Sequence, residues 1–232
     1  MARTLVIGDI HGRYEALKQV LKKSDFDYKN DRLIILGDIV DGGYNTDQVV
    51  EELIKIDNKI FVLGNHDKWF MDSLSTGWSE AIWLSQGGEN TVKSYGAKIT
   101  KEPRIDGEQY VLDFRGMNVP VTHQEFFNSA KYYHVENDML FVHGGFDYTR
   151  GVEETPQHTL LWDRNMIEDA RFQEISGFKK IFVGHTYIGL TPVKRNNVWC
   201  VDTGAGWDGK LCLMDVDTEE YWLSDVQEAP TR

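Results

Sequence analysis

Two rhythms of apolar and polar positions run through this chain. The first is a set of short apolar runs: Leu5-Val6-Ile7, Leu33-Ile34-Ile35-Leu36, Ile60-Phe61-Val62-Leu63, Leu140-Phe141-Val142 and Ile181-Phe182-Val183. Runs this short and this rich in β-branched and aromatic residues predict buried strands. The second is a helical spacing. It puts Ala16, Leu17, Val20 and Leu21 on one face of a helix over Tyr14–Lys23. It also puts Val49, Val50, Leu53 and Ile54 on one face of another, with Thr46 and Asp47 as its caps. Strand, helix, strand, helix, strand in this order predicts a mostly parallel sheet with helices on its faces.

The middle of the chain changes character. Trp69 to Tyr95 is rich in aromatics and reads as helical, interrupted at Gly87-Gly88. Its tryptophans read as core or as a cap over a sheet edge, with a substrate-facing wall as the alternative for Trp78 and Trp83. Tyr110 to Phe114 suits a short strand, and Pro120 opens a helix. Leu160 to Arg164 reads as a loop, followed by a helix from Met166 to Ile175. Val198–Asp202, Leu211–Met214 and Tyr221–Leu223 read as consecutive strands, with Gly204, Gly206 and Gly209 turning between the first two. These strands add an antiparallel section or second sheet, so the expected class is α/β, a sandwich within a single domain spanning 1–232. No linker, low-complexity tract or repeat interrupts it.

Composition narrows the partners. Across 232 residues there are 25 Lys and Arg against 37 Asp and Glu, a formal net charge of -12. Binding to long nucleic acid draws on lysine and arginine to displace counterions, so no long nucleic acid is expected as a partner. No apolar stretch nears the roughly 20 residues a membrane-spanning helix needs, and no membrane association is expected. Cys200 and Cys212 lack metal-ligand or redox spacing and read as buried hydrophobes in a reducing cytoplasm.

The ends of the apolar runs carry the chemistry. Each run leads to a residue that can ligate a metal: Asp9, Asp38, Asn65, His143 and His185. Ligand sites in open α/β sheets lie beyond the carboxyl ends of the strands. In an extended segment Asp9 and His11 point to the same side. Carboxylate, imidazole and amide donors without a thiolate favour Mn, Fe or Zn. Asp38, shared between two ions about 3.5–4 Å apart, gives the arrangement used for in-line displacement at phosphorus. Water activated by the two divalent ions is then the nucleophile. His66, next to Asn65 and facing elsewhere on an extended chain, is the candidate general acid. Asp41 is placed to orient it, and Arg164 to clamp phosphate oxygens. His123, His134 and His158 have no such setting.

At these residues the sequence resembles a known family. Gly-Asp-Ile-His-Gly at 8–12, Gly-Asp-Ile-Val-Asp at 37–41, Gly-Asn-His-Asp at 64–67, Val-His-Gly-Gly at 142–145 and Gly-His-Thr at 184–186 are similar to the calcineurin-like metallophosphoesterases. The compact bacterial and bacteriophage form of the phosphoprotein phosphatase branch looks nearest. The Gln-Gly-Gly at 86–88, Leu-Trp-Asp-Arg at 161–164 and Asp-Thr-Gly-Ala at 202–205 extend the resemblance over nearly the whole chain. It implies a central β-sandwich of mixed sheets flanked by helices. It also implies a first metal on Asp9, His11 and Asp38, and a second on Asp38, Asn65, His143 and His185. His66 with Asp41 would be the acid pair and Arg164 a phosphate ligand, with Mn the usual activating ion. Two departures stand out. Gly43 occupies the place of a phosphate-gripping arginine, with Arg13 and Arg150 as candidates to replace it. Tyr187 stands where nuclease-like relatives carry a further histidine.

The expected activity is that of a metal-dependent phosphomonoesterase acting on phosphoserine, phosphothreonine and small aryl phosphates in the cytoplasm of a bacterium or phage-infected cell. Hydrolysis of diadenosine tetraphosphate or related dinucleoside polyphosphates is the alternative, with a phosphodiesterase third. A non-catalytic binding module would be expected to lose ligands or the acid, and this chain keeps all of them.

Overall fold

The structure, a computed structural model, describes residues 2–79, 81–104, 107–113 and 116–225. It opens with β1 (Thr4–Ile7), α1 (Tyr14–Lys23), β2 (Arg32–Ile35), α2 (Thr46–Ile54) and β3 (Asn58–Phe61). β1 pairs with β2 and β2 with β3, both in parallel, as the periodicity requires. α1 matches its expected bounds and buries Ala16, Leu17, Val20 and Leu21. The caps of α2 differ from expectation. Asn45 is the N-cap, without a side-chain bond, and Thr46 is already helical and buried. The Thr46 hydroxyl turns inward, 3.4 Å from that of Thr91.

The middle segment contains α3 (Asn65–Thr76), the single turn α4 (Ala81–Trp83), a π-helical turn over Leu84–Gly88 and α5 (Glu89–Ser94). The break falls at Gly87, whose φ of 104° only glycine adopts readily. A hairpin of β4 (Lys98–Arg104) and β5 (Gly107–Asp113) follows, then α6 (Val121–Asn128) behind Pro120.

The second half brings β6 (Tyr133–Glu136), β7 (Met139–Val142), α7 (Gln157–Trp162), α8 (Asn165–Asp169), β8 (Lys180–Val183), β9 (Val193–Arg195), β10 (Val198–Cys200), β11 (Cys212–Asp215) and β12 (Tyr221–Leu223). The segment read as a loop before Arg164 is helical through Trp162. α8 ends at Asp169, shorter than expected: the Asn196 side chain donates to the Ala170 carbonyl at 2.8 Å, and farther on the Asn197 side chain accepts from Ile175 N–H and donates to its carbonyl, at 2.9 and 2.8 Å. Those bonds hold the chain in a non-helical turn.

Among the described residues the strands form two five-stranded sheets, ordered β12-β11-β1-β2-β3 and β6-β7-β8-β10-β9, beside the hairpin. The three C-terminal strands divide between them: β10 runs parallel to β8, whereas β11 pairs antiparallel to β1. The glycine-rich segment 204–209 is therefore a crossover between sheets rather than a hairpin turn.

The alternation along each strand sorts the core. Val6, Ile34, Phe141, Phe182, Trp199 and Met214 share one buried cluster between the sheets. Leu5, Ile7, Leu33 and Ile35 pack outward under the helices of the first sheet. Leu140, Val142, Ile181 and Val183 do the same under the second. Both faces of both sheets are thus covered, which is why these strands read as unbroken apolar runs. Phe141 and Phe182 stack across the β7–β8 pair, with centroids 5.1 Å apart. The result is an α/β sandwich of two mixed sheets with helices outside.

Candidate metal centre

The segments following β1, β2, β3, β7 and β8 converge at one end of the sandwich. The loop after β1 is not extended. Ile10 N–H and His11 N–H both donate to the Asp38 carbonyl, at 3.0 and 2.8 Å, and His11 turns to a φ of 48°. Asp38, Asp41 and His185 are also left-handed, at 49°, 72° and 61°. Such conformations cost about 1–3 kcal/mol each outside glycine, and they persist where the surroundings over-determine them.

Those surroundings are explicit. Asp67 accepts from Asp38 N–H at 2.7 Å, Ile39 N–H at 3.0 Å and Gly64 N–H at 3.0 Å. One buried carboxylate thereby ties the turn after β2 to the start of α3. Asn65 and His66 are consequently in the first turn of a helix rather than on an extended chain. His66 N–H donates to Asp38 Oδ1 at 2.9 Å. Gly64 is required here because a Cβ would collide with the Asp38 carboxylate, and at Gly184 one would collide with that of Asp9.

The expected donors come together in two triads that share Asp38. Donor atoms of Asp9, His11 and Asp38 lie within 4.8 Å of one another, as do those of Asp38, His143 and His185. Asn65 joins the second group, its Oδ1 2.9 Å from His143 Nε2. The imidazoles are aimed by their other nitrogens. His11 Nδ1 faces the Val40 carbonyl at 3.0 Å and His143 Nδ1 the Leu36 carbonyl at 2.6 Å, a geometry that turns Nε2 toward the centre. His185 Nε2 is buried without a hydrogen-bond partner. His143 Nε2 also lies 3.3 Å from Asp38 Oδ2. An orphaned imidazole nitrogen beside clustered carboxylate and amide oxygens is a donor set that fits divalent cations.

Charge in this pocket is finely balanced. Burial, with Asp202 and Asp38 nearby, pushes the Asp9 carboxyl well above its usual pKa. Burial also opposes ionisation of Asp38, but His143 and His66 prevail and hold it well below. Burial takes His11 down to about 4, with His66 adding to the effect, and His185 down to about 3, with His143 adding. Both are therefore neutral, as a metal ligand must be. Burial lifts Asp202 to about 6 and Asp67 to about 7.

His66 is the exception. Burial would lower it, but Asp38 and the hydrogen bond to Asp41 raise it to about 9. Its Nδ1 lies 2.5 Å from Asp41 Oδ2. Asp41 is itself fully buried and receives Trp83 Nε1–H at 2.8 Å and the Thr91 hydroxyl at 2.7 Å. Thr91 carried no signal as a site residue, Trp83 read as core or a substrate-facing wall rather than as a partner of Asp41, and Asp67 stood in the Gly-Asn-His-Asp motif without a role. Only Asp67 had a usable signal, an acid three residues past a helix-opening glycine.

The centre opens into a cleft of about 1070 Å³. Arg164 lines it, exposed at the N-cap of α8, and contributes to lowering His185. Trp162, Tyr187 and Trp207 border it, whereas Trp78 and Trp83 do not; Trp83 is fully buried, as its core reading requires, and the alternative of a wall from those two gives way to other aromatics. Of the glycine pair after Asp41, Gly42 lines the cleft. A side chain at Gly43 would strike the Gly12 carbonyl, so Gly42 rather than Gly43 is the position from which a residue reaches the site. Arg150 pairs with Asp147 at 3.9 Å and borders a separate hollow of about 300 Å³.

Fold and donor set together define a two-sheet sandwich with a metal-type centre at its strand ends. The model of the calcineurin-like phosphoesterases matches residues 2–189, and the chain belongs to that family, whose members act with divalent metal ions. It is a hydrolase of phosphoester bonds. It is 26% identical over 223 residues to serine/threonine-protein phosphatase 1 of Salmonella typhimurium, covering 90% of this chain and 89% of that one. It is also 26% identical over 277 residues to the symmetrical bis(5'-nucleosyl)-tetraphosphatase of Neisseria meningitidis, covering 96% and 95%. Among solved structures, a candidate diadenosine tetraphosphatase superposes with a TM-score of 0.67 over 98% of this chain and 95% of its own, at 16% identity. That likeness shows the fold.

Proposed function

We propose that the chain is a cytoplasmic phosphomonoesterase of the serine/threonine protein phosphatase type. In this reading Asp9, His11 and Asp38 hold one divalent ion and Asp38, Asn65, His143 and His185 hold a second, Mn being the ion favoured by the donor set and the resemblance. When bound, the ions supply the positive charge that activates water and polarises the phosphoryl oxygens. The remaining roles fall to the chain. His66 donates its proton to the departing oxygen. Asp41 orients the imidazole and favours its charged form, with Trp83 and Thr91 fixing the carboxylate. Arg164 grips phosphoryl oxygens from the open side with its planar fork.

The observation that carries this reading is the attachment of the acid to the shared ligand. His66 N–H is bonded to the carboxylate of Asp38 while its ring is bonded to Asp41. That frame supports the pairing of a proton donor at His66 with a shared ligand at Asp38. The tetraphosphatase relative of Neisseria meningitidis supports a second reading, hydrolysis of dinucleoside polyphosphates. Turnover of p-nitrophenyl phosphate, bis(p-nitrophenyl) phosphate, a phosphoserine peptide and diadenosine tetraphosphate, each with Mn or chelator, separates them. Mn-dependent cleavage of the monoester and peptide is expected. Cleavage confined to the tetraphosphate replaces the first reading by the second, and cleavage confined to the diester overturns both.

A further inference from the structure

The cations that border the cleft fall in different places, and Lys93 among them is paired with Glu89 at 3.2 Å. Arg164 caps α8 two residues after Trp162, whose ring lies 5.8 Å from that of His185, so it belongs to the metal side. Arg13 sits apart and is only 7% exposed. Its Nε–H donates to the Ala205 carbonyl at 3.0 Å, and its Nη2 reaches the Trp207 carbonyl at 3.4 Å. Asp208 and Tyr44 line the same cleft as Arg13. Between the two carbonyl-bearing residues, Gly206 packs so closely on His11 that a Cβ would lie 2.5 Å from its ring. The loop that fixes Arg13 thus runs along the outer side of the first donor triad.

Two rings accompany it. Tyr44 and Trp207 line the same cleft and are 51% and 61% exposed. Large rings left in solvent on a cleft wall beside a partly desolvated, fixed guanidinium are suited to a flat ligand that also bears negative charge. Two neutral carbonyls set the guanidinium plane in advance, so less freedom is lost when an anion binds.

We propose that Arg13, Tyr44 and Trp207 form a leaving-group subsite for an aromatic group that carries its own anionic substituent. The subsite rests on the phosphomonoesterase reading: the phosphoryl group lies at the metal centre and the ring extends outward over Trp207 and Tyr44. Its anionic substituent meets Arg13 in competition with Asp208. Asp208 therefore acts against such substrates, and its removal has the opposite sign to that of Arg13. A purely structural Arg13 would not produce that opposition.

The test compares para-carboxyphenyl phosphate with its neutral isostere, para-carbamoylphenyl phosphate, in Mn-loaded enzyme. The ratio of their kcat/KM values is expected near tenfold in favour of the carboxylate, the size of one charge-assisted hydrogen bond. Arg13→Gln should bring that ratio close to one, Arg13→Lys should keep part of it, and Asp208→Asn should raise it about threefold. Trp207→Ala should raise KM for both esters severalfold. Equal losses on both esters in Arg13→Gln, or a ratio unmoved by Asp208→Asn, overturn the subsite. Calorimetry with the two matching phosphonates reads the same preference without turnover. Failure to cleave either ester counts against the phosphomonoesterase reading, whereas equal phosphonate affinities count against the subsite alone.

Discussion

The two ends of β1 and β2 are built by opposite rules. At their amino ends, Arg3 and Asp31 make an ordinary ion pair, with Nη2 to Oδ2 at 2.5 Å and Asp31 also accepting Arg3 N–H at 3.0 Å. Opposite charges meet and each has its partner. At their carboxyl ends, like charges are pressed together: Asp9 and Asp38 are both nearly fully buried, and His11, Asp38 and Asp41 hold left-handed backbones. The amino ends hold the sheet together. The carboxyl ends are arranged for a ligand, at a cost to the sheet that a pair of bound cations would offset.

The largest effect follows directly. Asp9→Asn is expected to lower Mn-dependent turnover by about 10³-fold or more, because it weakens a cation site worth several kcal/mol. The same change should raise the melting temperature of the chelator-treated protein by roughly 2–4 °C, the shift expected from about 1 kcal/mol in a chain of this size. The physical reason is that folding forces the buried Asp9 carboxyl toward its neutral form, with Asp202 and Asp38 adding repulsion, and an amide escapes that penalty. A thermal-shift assay with and without Mn reads both halves. A lower metal-free melting temperature would mean the carboxyl ends are not strained as described.

Next comes the acid. His66→Asn is expected to cost about 10²–10⁴-fold with an alkyl phosphate and much less with p-nitrophenyl phosphate, whose leaving group needs little protonation. The pKa of His66 stands above its usual value, so its contribution to stability is complete below about 6.5 and is lost as the pH rises through about 9. In metal-free protein the imidazole should titrate near 9 by NMR. Occupancy of the site by a diamagnetic ion such as Zn should move it down, since Asp38 is one of the acids that raise it. An unmoved resonance would separate His66 from the metal bridge.

Asp67→Asn tests the frame rather than the chemistry. An amide keeps one acceptor oxygen where three N–H groups converge, so Asp38 should be held less firmly. Metal affinity is expected to fall about 10–100-fold, with kcat at saturating metal much less affected. Metal-binding calorimetry distinguishes this from a loss of fold.

Much of the contrast was legible in the chain itself. Five apolar runs ending in donor residues gave the strands and the donors that converge at their ends, because burial on both faces makes a strand uniformly apolar and the donors must follow where it ends. Backbone detail was less legible. Nothing local says that His11 and Asp38 turn left-handed, since that conformation is imposed by bonds between segments. Trp83 and Thr91 reach Asp41 from 42 and 50 residues away along the chain, a relation without a sequence signature. β6 and β9 were missed because each is short, half-exposed and joined to its partner by an asparagine turn, at Asn137-Asp138 and Asn196. The division of β10 from β11 was hidden for the same reason as the site: pairing partners are chosen in space, and the glycines at 204–209 serve a crossover as readily as a hairpin.

The smallest expected effect lies at the amino ends. The Asp31 carboxyl is held below its usual pKa, burial opposing and the hydrogen bonds from Arg3 and Asp27 prevailing. A depressed carboxylate contributes stability that is present above its unfolded pKa of about 3.9 and is lost as the pH falls through the lower folded value. Because Arg3 reaches solvent, that contribution is modest, about 1 kcal/mol. Asp31→Asn should therefore lower the melting temperature by roughly 2–4 °C at neutral pH, and the difference from wild type should shrink below about pH 4. Mn-dependent turnover should be unchanged, because the substitution lies at the far end of the strands. The melting shift is then opposite in sign to that of metal-free Asp9→Asn. If both substitutions moved the metal-free melting temperature in the same direction, the two ends of these strands would not differ in the way their charges imply.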